Sequence, residues 1–186
     1  PDAGELRSLA GAVPERSLAA GEILFPSFTA LAHKLSPRPG ECFLDLGSGT
    51  GRAVVAWALL FPECSAVGVE IREQLHCTAS EVVASLGESV RDRIQLHLGN
   101  FFCLGEWSEA DILLVNSTGF DAQLMREVAR RLSDVRCGAR VVTLSQPLPF
   151  DMLDKPMQDW RLTHQAMYRM TWGNATAFVY QKGPLE

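Results

Sequence analysis

An acid and three glycines stand at alternate positions in Asp45-Leu46-Gly47-Ser48-Gly49-Thr50-Gly51. The apolar run CFLDLG leads into them and GRAVVAWALLF leads out, so the stretch reads as strand, tight turn and helix. Glycine lets the chain turn sharply and lets a ligand approach with no Cβ in the way. The next apolar run, SAVGVE, ends in Glu70, 19 places after Gly51. An acid there can accept hydrogen bonds from both hydroxyls of a ribose. The spacing does not fit the nicotinamide and flavin fingerprint Gly-x-Gly-x-x-Gly, because the third glycine comes one place early and Arg52 stands in its position. Gly99-Asn100-Phe101 closes a third run, RIQLHLG, and Asn116-Ser117-Thr118 closes a fourth, DILLVN. Asn116-Ser117-Thr118 and Asn174-Ala175-Thr176 also match the N-glycosylation pattern, which needs an exposed loop of a secreted protein. Cysteine usage argues against secretion. Cys42, Cys64, Cys77, Cys103 and Cys137 are odd in number and hold no Cys-x-x-Cys, which predicts a reducing compartment with neither disulfides nor a zinc site. The four histidines form no ligand pair, so no metal is expected.

These residues need elements to hold them in place. Strands are expected over 42–47, 65–70, 93–99, 111–116 and 139–145. Helices are expected over 51–61, 73–86 and 121–135, the last with Asp121 as N-cap and Gly138 just past its end. Residues 160–170 and 174–181 read as a hairpin turning at Trp172-Gly173-Asn174. The pattern predicts an α/β fold, a doubly wound, mostly parallel seven-stranded sheet with a C-terminal antiparallel hairpin. Ligands bind such sheets at the carboxyl ends of strands, near the switch in strand order. Those ends are Asp45 to Gly51, Glu70, Gly99 to Phe101, and Asn116.

Composition sets outer bounds. The 186 residues are enough for one domain with a full core, and 47% hydrophobic with 21% charged residues is ordinary for a globular protein. A net charge of −5 argues against strong nucleic-acid binding by this segment. No apolar run approaches the roughly 20 residues of a membrane span, so no membrane partner is expected. Oligomeric state is left open.

The alternate-glycine loop resembles motif I of the class I S-adenosylmethionine (SAM) methyltransferases, in which it lies under the methionine part of the cofactor. That resemblance implies SAM as cofactor and a Rossmann-like methyltransferase fold. It implies a cradle of Asp45, Gly47, Ser48, Gly49, Thr50 and Gly51, with Glu70 and its neighbour Ile71 at the ribose and Asn100 and Phe101 at the adenine. Asn116 takes the place of motif IV, directly before the methyl group, where it would contact the cofactor and orient the nucleophile, without the Pro-Pro of base-flipping amino-methyltransferases. A narrower resemblance rests on AAGEILF, FLDLGSGTGR, VGVEI, LGNFF, ILLVNSTGF, CGARVVTLSQPLP and MTWGNATAFVY in that order. Together they are similar to the catalytic core of the disruptor-of-telomeric-silencing family, histone lysine methyltransferases without a SET domain. The likeness covers roughly residues 20–181. Ala20, Arg52, Asn100 and Ser117 stand where that family has Tyr, Gln, Asp and a second Asn.

This resemblance implies lysine N-methylation of a protein partner, a histone, in the nucleus or cytoplasm. Glu22 would lie on a loop closing over the methionine end. Residues 1–38 would form a helical or loop segment covering the cofactor site, within a single methyltransferase domain spanning 1–186. Phe120 and Trp172 would wall the lysine channel beside Asn116, the three forming the catalytic set. Two other readings share the same motifs. One is a methyltransferase of a non-histone protein or small molecule. The other is a non-catalytic SAM-fold module, against which the intact glycine loop and Glu70 count. A nucleotide-dependent oxidoreductase is disfavoured by the glycine spacing.

Overall fold

A computed structural model describes residues 21–152 and 158–183. The first part of the expected covering segment, residues 1–20, lies outside the described residues. Five parallel strands form one sheet from its β3 edge inward: β1 (Cys42–Leu46), β2 (Ser65–Glu70), β3 (Ile94–Leu98), β4 (Ile112–Val115) and β5 (Arg140–Leu144). The hairpin β6 (Trp160–Met170) and β7 (Gly173–Lys182) completes it, with β7 antiparallel to β5. The strand order is β3-β2-β1-β4-β5-β7-β6. The chain runs outward from β1 to β3, then returns to lay β4 on the other side of β1. That reversal puts the switch point between β1 and β4, where a ligand crevice opens.

Every expected strand is present, with ends moved by a residue or so. The hairpin turn is tighter than expected, because Met170 pairs with Gly173 and leaves Thr171 and Trp172 as the turn. Helix α1 (Phe25–Lys34) has Pro26 in its first turn, where a missing N–H is no loss. Helices α2 (Arg52–Leu60) and α3 (Glu73–Ala84) follow β1 and β2, and α4 (Glu88–Arg91) is a single turn before β3. Helix α5 (Ala122–Arg131) starts at the expected cap, where Asp121 Oδ1 accepts from Leu124 N at 2.8 Å. It ends sooner than expected, passing into a 3-10 turn at Leu132–Asp134, so Gly138 belongs to the approach to β5 instead.

Both faces of the sheet are covered, which is why β4 reads as an unbroken apolar run and β1 and β5 as largely apolar ones. On one face Phe28 and Leu31 of α1 meet Phe43 of β1 and Val54 and Trp57 of α2. On the other, Leu44 and Leu46 meet Met125 and Val128 of α5 and the buried Trp107. The Trp57 and Phe43 rings stack at 4.4 Å between centroids with an interplanar angle of 9°. Trp57 is fully buried on the helix that the glycine loop feeds. Trp57→Ala is therefore expected to lower the unfolding free energy by about 3–5 kcal/mol, read from the urea unfolding midpoint.

Candidate functional site

The glycine turn closes on β2. The amides of Gly47 and Ser48 both donate to Val69 O, at 2.9 and 2.8 Å. Gly47 and Gly49 hold left-handed φ of 87° and 55°, and a Cβ on either would project into open space at the cavity. Gly51 has a further reason to lack a side chain, since its Cβ would come within 2.9 Å of Ala79 Cβ on α3. Glu70, buried at the end of β2, braces the turn: its Oε2 accepts from Gly49 N and its Oε1 from Arg72 N, each at 2.8 Å. The Arg72 guanidinium lies 3.6 Å from the same carboxylate.

A cavity of about 780 Å³ opens over this turn. Asp45, Ser48 and Thr50 line it from the β1 end, Gly21 and Glu22 from the N-terminal side, and Asn116 from the end of β4. Val55, Leu59 and Val82 extend it as an apolar surface across α2 and α3. Among the described lining residues, Glu70, Ile71, Asn100, Phe101, Phe120 and Trp172 do not appear. Glu70 instead meets the cradle from behind, through Gly49, and Ile71 follows it, half-buried, into the bend before α3. Asn100 caps its own turn, its Oδ1 accepting from Phe102 N at 3.0 Å. Phe101 and Phe120 stack at 6.2 Å beside Trp107.

Gly21–Leu24 forms a strap across the cavity mouth. Ile23 bridges Met170, Leu24 N donates to Arg169 O, and Glu22 and Thr171 exchange hydrogen bonds through Glu22 N and Thr171 N. The Glu22 carboxylate accepts from Thr50 Oγ1 at 2.8 Å and from Arg52 Nη1 at 2.5 Å. Asn116 Nδ2 donates to Gly21 O at 2.5 Å, so the nitrogen a glycan would occupy is committed inside the fold. Trp172 is half-exposed and lies against Gly21, where a Cβ would run into its indole. Thr171, Arg52 and Gly21 thus join the site although sequence reasoning did not select them. Gly21 alone had a signal there, as the neighbour of Glu22.

Three carboxylates now surround the turn. Glu22 and Glu70 each meet an arginine, while among the described residues no cation pairs with Asp45. Burial, and then the charges of Glu70 and Glu22, push the Asp45 carboxyl up to about 7. A buried, uncompensated acid under an open glycine cradle fits a cationic ligand, and SAM carries both a sulfonium and an ammonium.

Comparison with known proteins agrees with this geometry. Residues 14–155 match the family model described as histone methylation protein DOT1. The chain belongs to the DOT1 family. Among curated relatives, the H3 lysine-79 specific histone-lysine N-methyltransferase of Candida albicans is 33% identical over 144 residues, covering 67% of this chain and 10% of that protein. Its counterpart in Gibberella zeae is 31% identical over 135 residues, covering 67% and 27%. The chain thus spans about a tenth to a quarter of the length of these DOT1 relatives. Among solved structures, TrmN from Thermus thermophilus superposes with a TM-score of 0.65 at 22% identity over 85% of this chain and 52% of that one. The O-methyltransferase TomG from Streptomyces achromogenes, solved with SAM, superposes with a TM-score of 0.63 at 17% identity, over 86% and 80%. The fold is that of the Rossmann-like SAM methyltransferases.

The raised Asp45 carboxyl has a measurable consequence. Its folded value of about 7 lies above its ordinary 3.8, so the unfolded chain releases this proton first. The contribution to stability is complete below about 4 and is lost as pH rises to about 7. Asp45→Asn is expected to match the wild type near pH 4 and to melt on the order of 5 °C higher at pH 8, read as thermal midpoint against pH. Parallel profiles would mean that the buried carboxyl titrates in its ordinary range.

Proposed function

We propose that this chain is the catalytic core of a SAM-dependent lysine N-methyltransferase acting on a histone. The observation that carries the reading is the meeting of three things at one cavity: the glycine cradle, the buried Asp45 carboxyl and the strand-end amide of Asn116. Membership of the DOT1 family supports the histone as acceptor. A histone acceptor also places the reaction on chromatin, in the nucleus.

Bound SAM supplies a methyl carbon already activated by its sulfonium. The chain then has to position the acceptor and exclude water, and needs neither a metal nor a strong base. Asp45 is assigned to offset the positive charge of the cofactor. Glu70 is assigned to the ribose hydroxyls, with Ile71 beside it, since each carboxylate oxygen keeps a lone pair after accepting one backbone N–H. Asn100 and Phe101 are assigned to the adenine side, beyond Glu70 at the end of β3. Glu22, held by Thr50 and Arg52, presents the strap to the methionine end. Asn116 Oδ1 is assigned to orient the incoming amine. That amine must arrive neutral, and an apolar approach lowers its pKa by desolvation. Trp172, half-exposed over the strap, and Phe120 are assigned to the walls of that approach.

Two measurements test the reading. Calorimetric titration with SAM is expected to show binding that Gly49→Arg abolishes and Glu70→Ala weakens by about 10- to 100-fold. Methyl-labelled SAM, incubated with the chain and either core histones, nucleosomes or total cell protein, is expected to label a histone. Label confined to a non-histone protein would overturn the histone assignment. Unchanged SAM affinity in both variants would overturn the cofactor site.

A further inference from the structure

Asn116 is held from both sides, and the second side has no part in the cradle. Its Nδ2 donates to Gly21 O, while its Oδ1 accepts from Thr118 Oγ1 at 2.9 Å. Thr118 Oγ1 also lies 2.9 Å from Ser145 Oγ. A hydroxyl has one proton to give. If Thr118 gives its proton to Asn116, the bond to Ser145 must use the serine proton. The Gly21 carbonyl can only accept, so Nδ2 faces it, Oδ1 faces Thr118, and the chain runs one way, from Ser145 to Thr118 to Asn116 to Gly21.

The far end of this chain is built at a cost. Ser145 follows β5 with φ of 76°, one of two non-glycine residues with positive φ among the described residues. Such a conformation costs about 1–3 kcal/mol and persists only when neighbours hold it. Here Ser145 N donates to Thr176 O at 2.8 Å. The adjoining turn is pinned to the same strand end. Ser117 Oγ donates to Leu144 O at 2.5 Å, and Gln146 Nε2 donates to Ser117 O and Phe120 O at 2.9 and 2.6 Å.

We propose that Thr118 and Ser145 are positioning residues that fix which way the Asn116 amide faces. An asparagine amide can turn over, exchanging oxygen for nitrogen with almost no change of shape. The Gly21 carbonyl demands a donor on one side, and the Thr118 hydroxyl, steadied by Ser145, donates to the oxygen left on the other, so the three contacts together hold one orientation. Oδ1 then keeps its remaining lone pair at a constant place, as in-line transfer to an amine requires. The effect on catalysis rests on the methyltransferase reading. The fixing of the amide does not.

The test pairs Thr118→Val, which keeps the shape and removes the hydroxyl, with Thr118→Ser, which keeps the hydroxyl. Two readouts are taken on the 186-residue chain: the side-chain NH₂ signals of Asn116 in ¹⁵N NMR, and methyl transfer to core histones. Thr118→Val is expected to broaden or shift the Asn116 side-chain signals and to lower kcat about tenfold, with SAM affinity within about twofold of wild type. Thr118→Ser is expected to restore both. Ser145→Gly, which relieves the positive φ, is expected to keep the thermal midpoint and to lose kcat as Thr118→Val does. Unchanged Asn116 signals with full kcat in Thr118→Val would overturn the proposal, as would a Thr118→Ser variant as impaired as Thr118→Val. If the wild type labels no acceptor, the methyltransferase reading fails and the NMR comparison alone decides the positioning role.

Discussion

An acid buried at the end of a central strand is the constraint around which this molecule is arranged. Asp45 lies on β1 between Gly68 of β2 and Leu114 of β4, in strand register with both. Ionised and unpaired, it would be costly in such a place. Its neighbours allow it to remain. Gly68 has no side chain, and a Cβ there would come within 2.9 Å of Ser48 Oγ and Val54 Cγ2. The glycine turn can therefore lie low over the strand end and leave a cavity above the carboxyl. The same constraint explains how the other acids are treated. Glu70 is braced by two backbone amides and Glu22 by a hydroxyl and a guanidinium. Asp45 faces the cavity, with no cation paired to it among the described residues.

The second organising feature joins distant parts of the chain. The strap at Gly21–Leu24 pairs with the end of β6 and the turn after it, so the start of the described chain is held by the hairpin near its end. Asn116 reaches the strap from β4, and Arg52 reaches it from the first turn of α2. One short segment thus touches the hairpin, the end of β4 and the start of α2. Backbone hydrogen bonds hold the strap to the hairpin, while its contacts with the glycine loop, α2 and β4 run through side chains.

Legibility in the sequence followed the range of the interactions. Local patterns carried far: the alternate glycines, the apolar runs and the Asp121 cap all act within a few residues, and each element they imply is present. Where one element hands over to the next, the sequence was less clear. Residues 121–135 looked like one helix, yet the chain tightens into a 3-10 turn after Arg131. The hairpin was legible from its alternation, but its turn was placed one residue late, because Gly173 still pairs with Met170.

By itself, the sequence determined the class of fold, the cradle at Asp45–Gly51 and the placing of Glu70 and Asn116 at strand ends. These depend on turn chemistry and on the spacing of apolar runs, which adjacent residues encode. Only the tertiary structure decided that Gly21, Arg52 and Thr171 belong with the cradle, and that Thr118 and Ser145 stand behind Asn116. Apart from Thr118 on Asn116, two positions away, these contacts join residues 27 to 149 positions apart. Their side chains carry no local pattern, and only the winding of the sheet brings them within a hydrogen bond of one another.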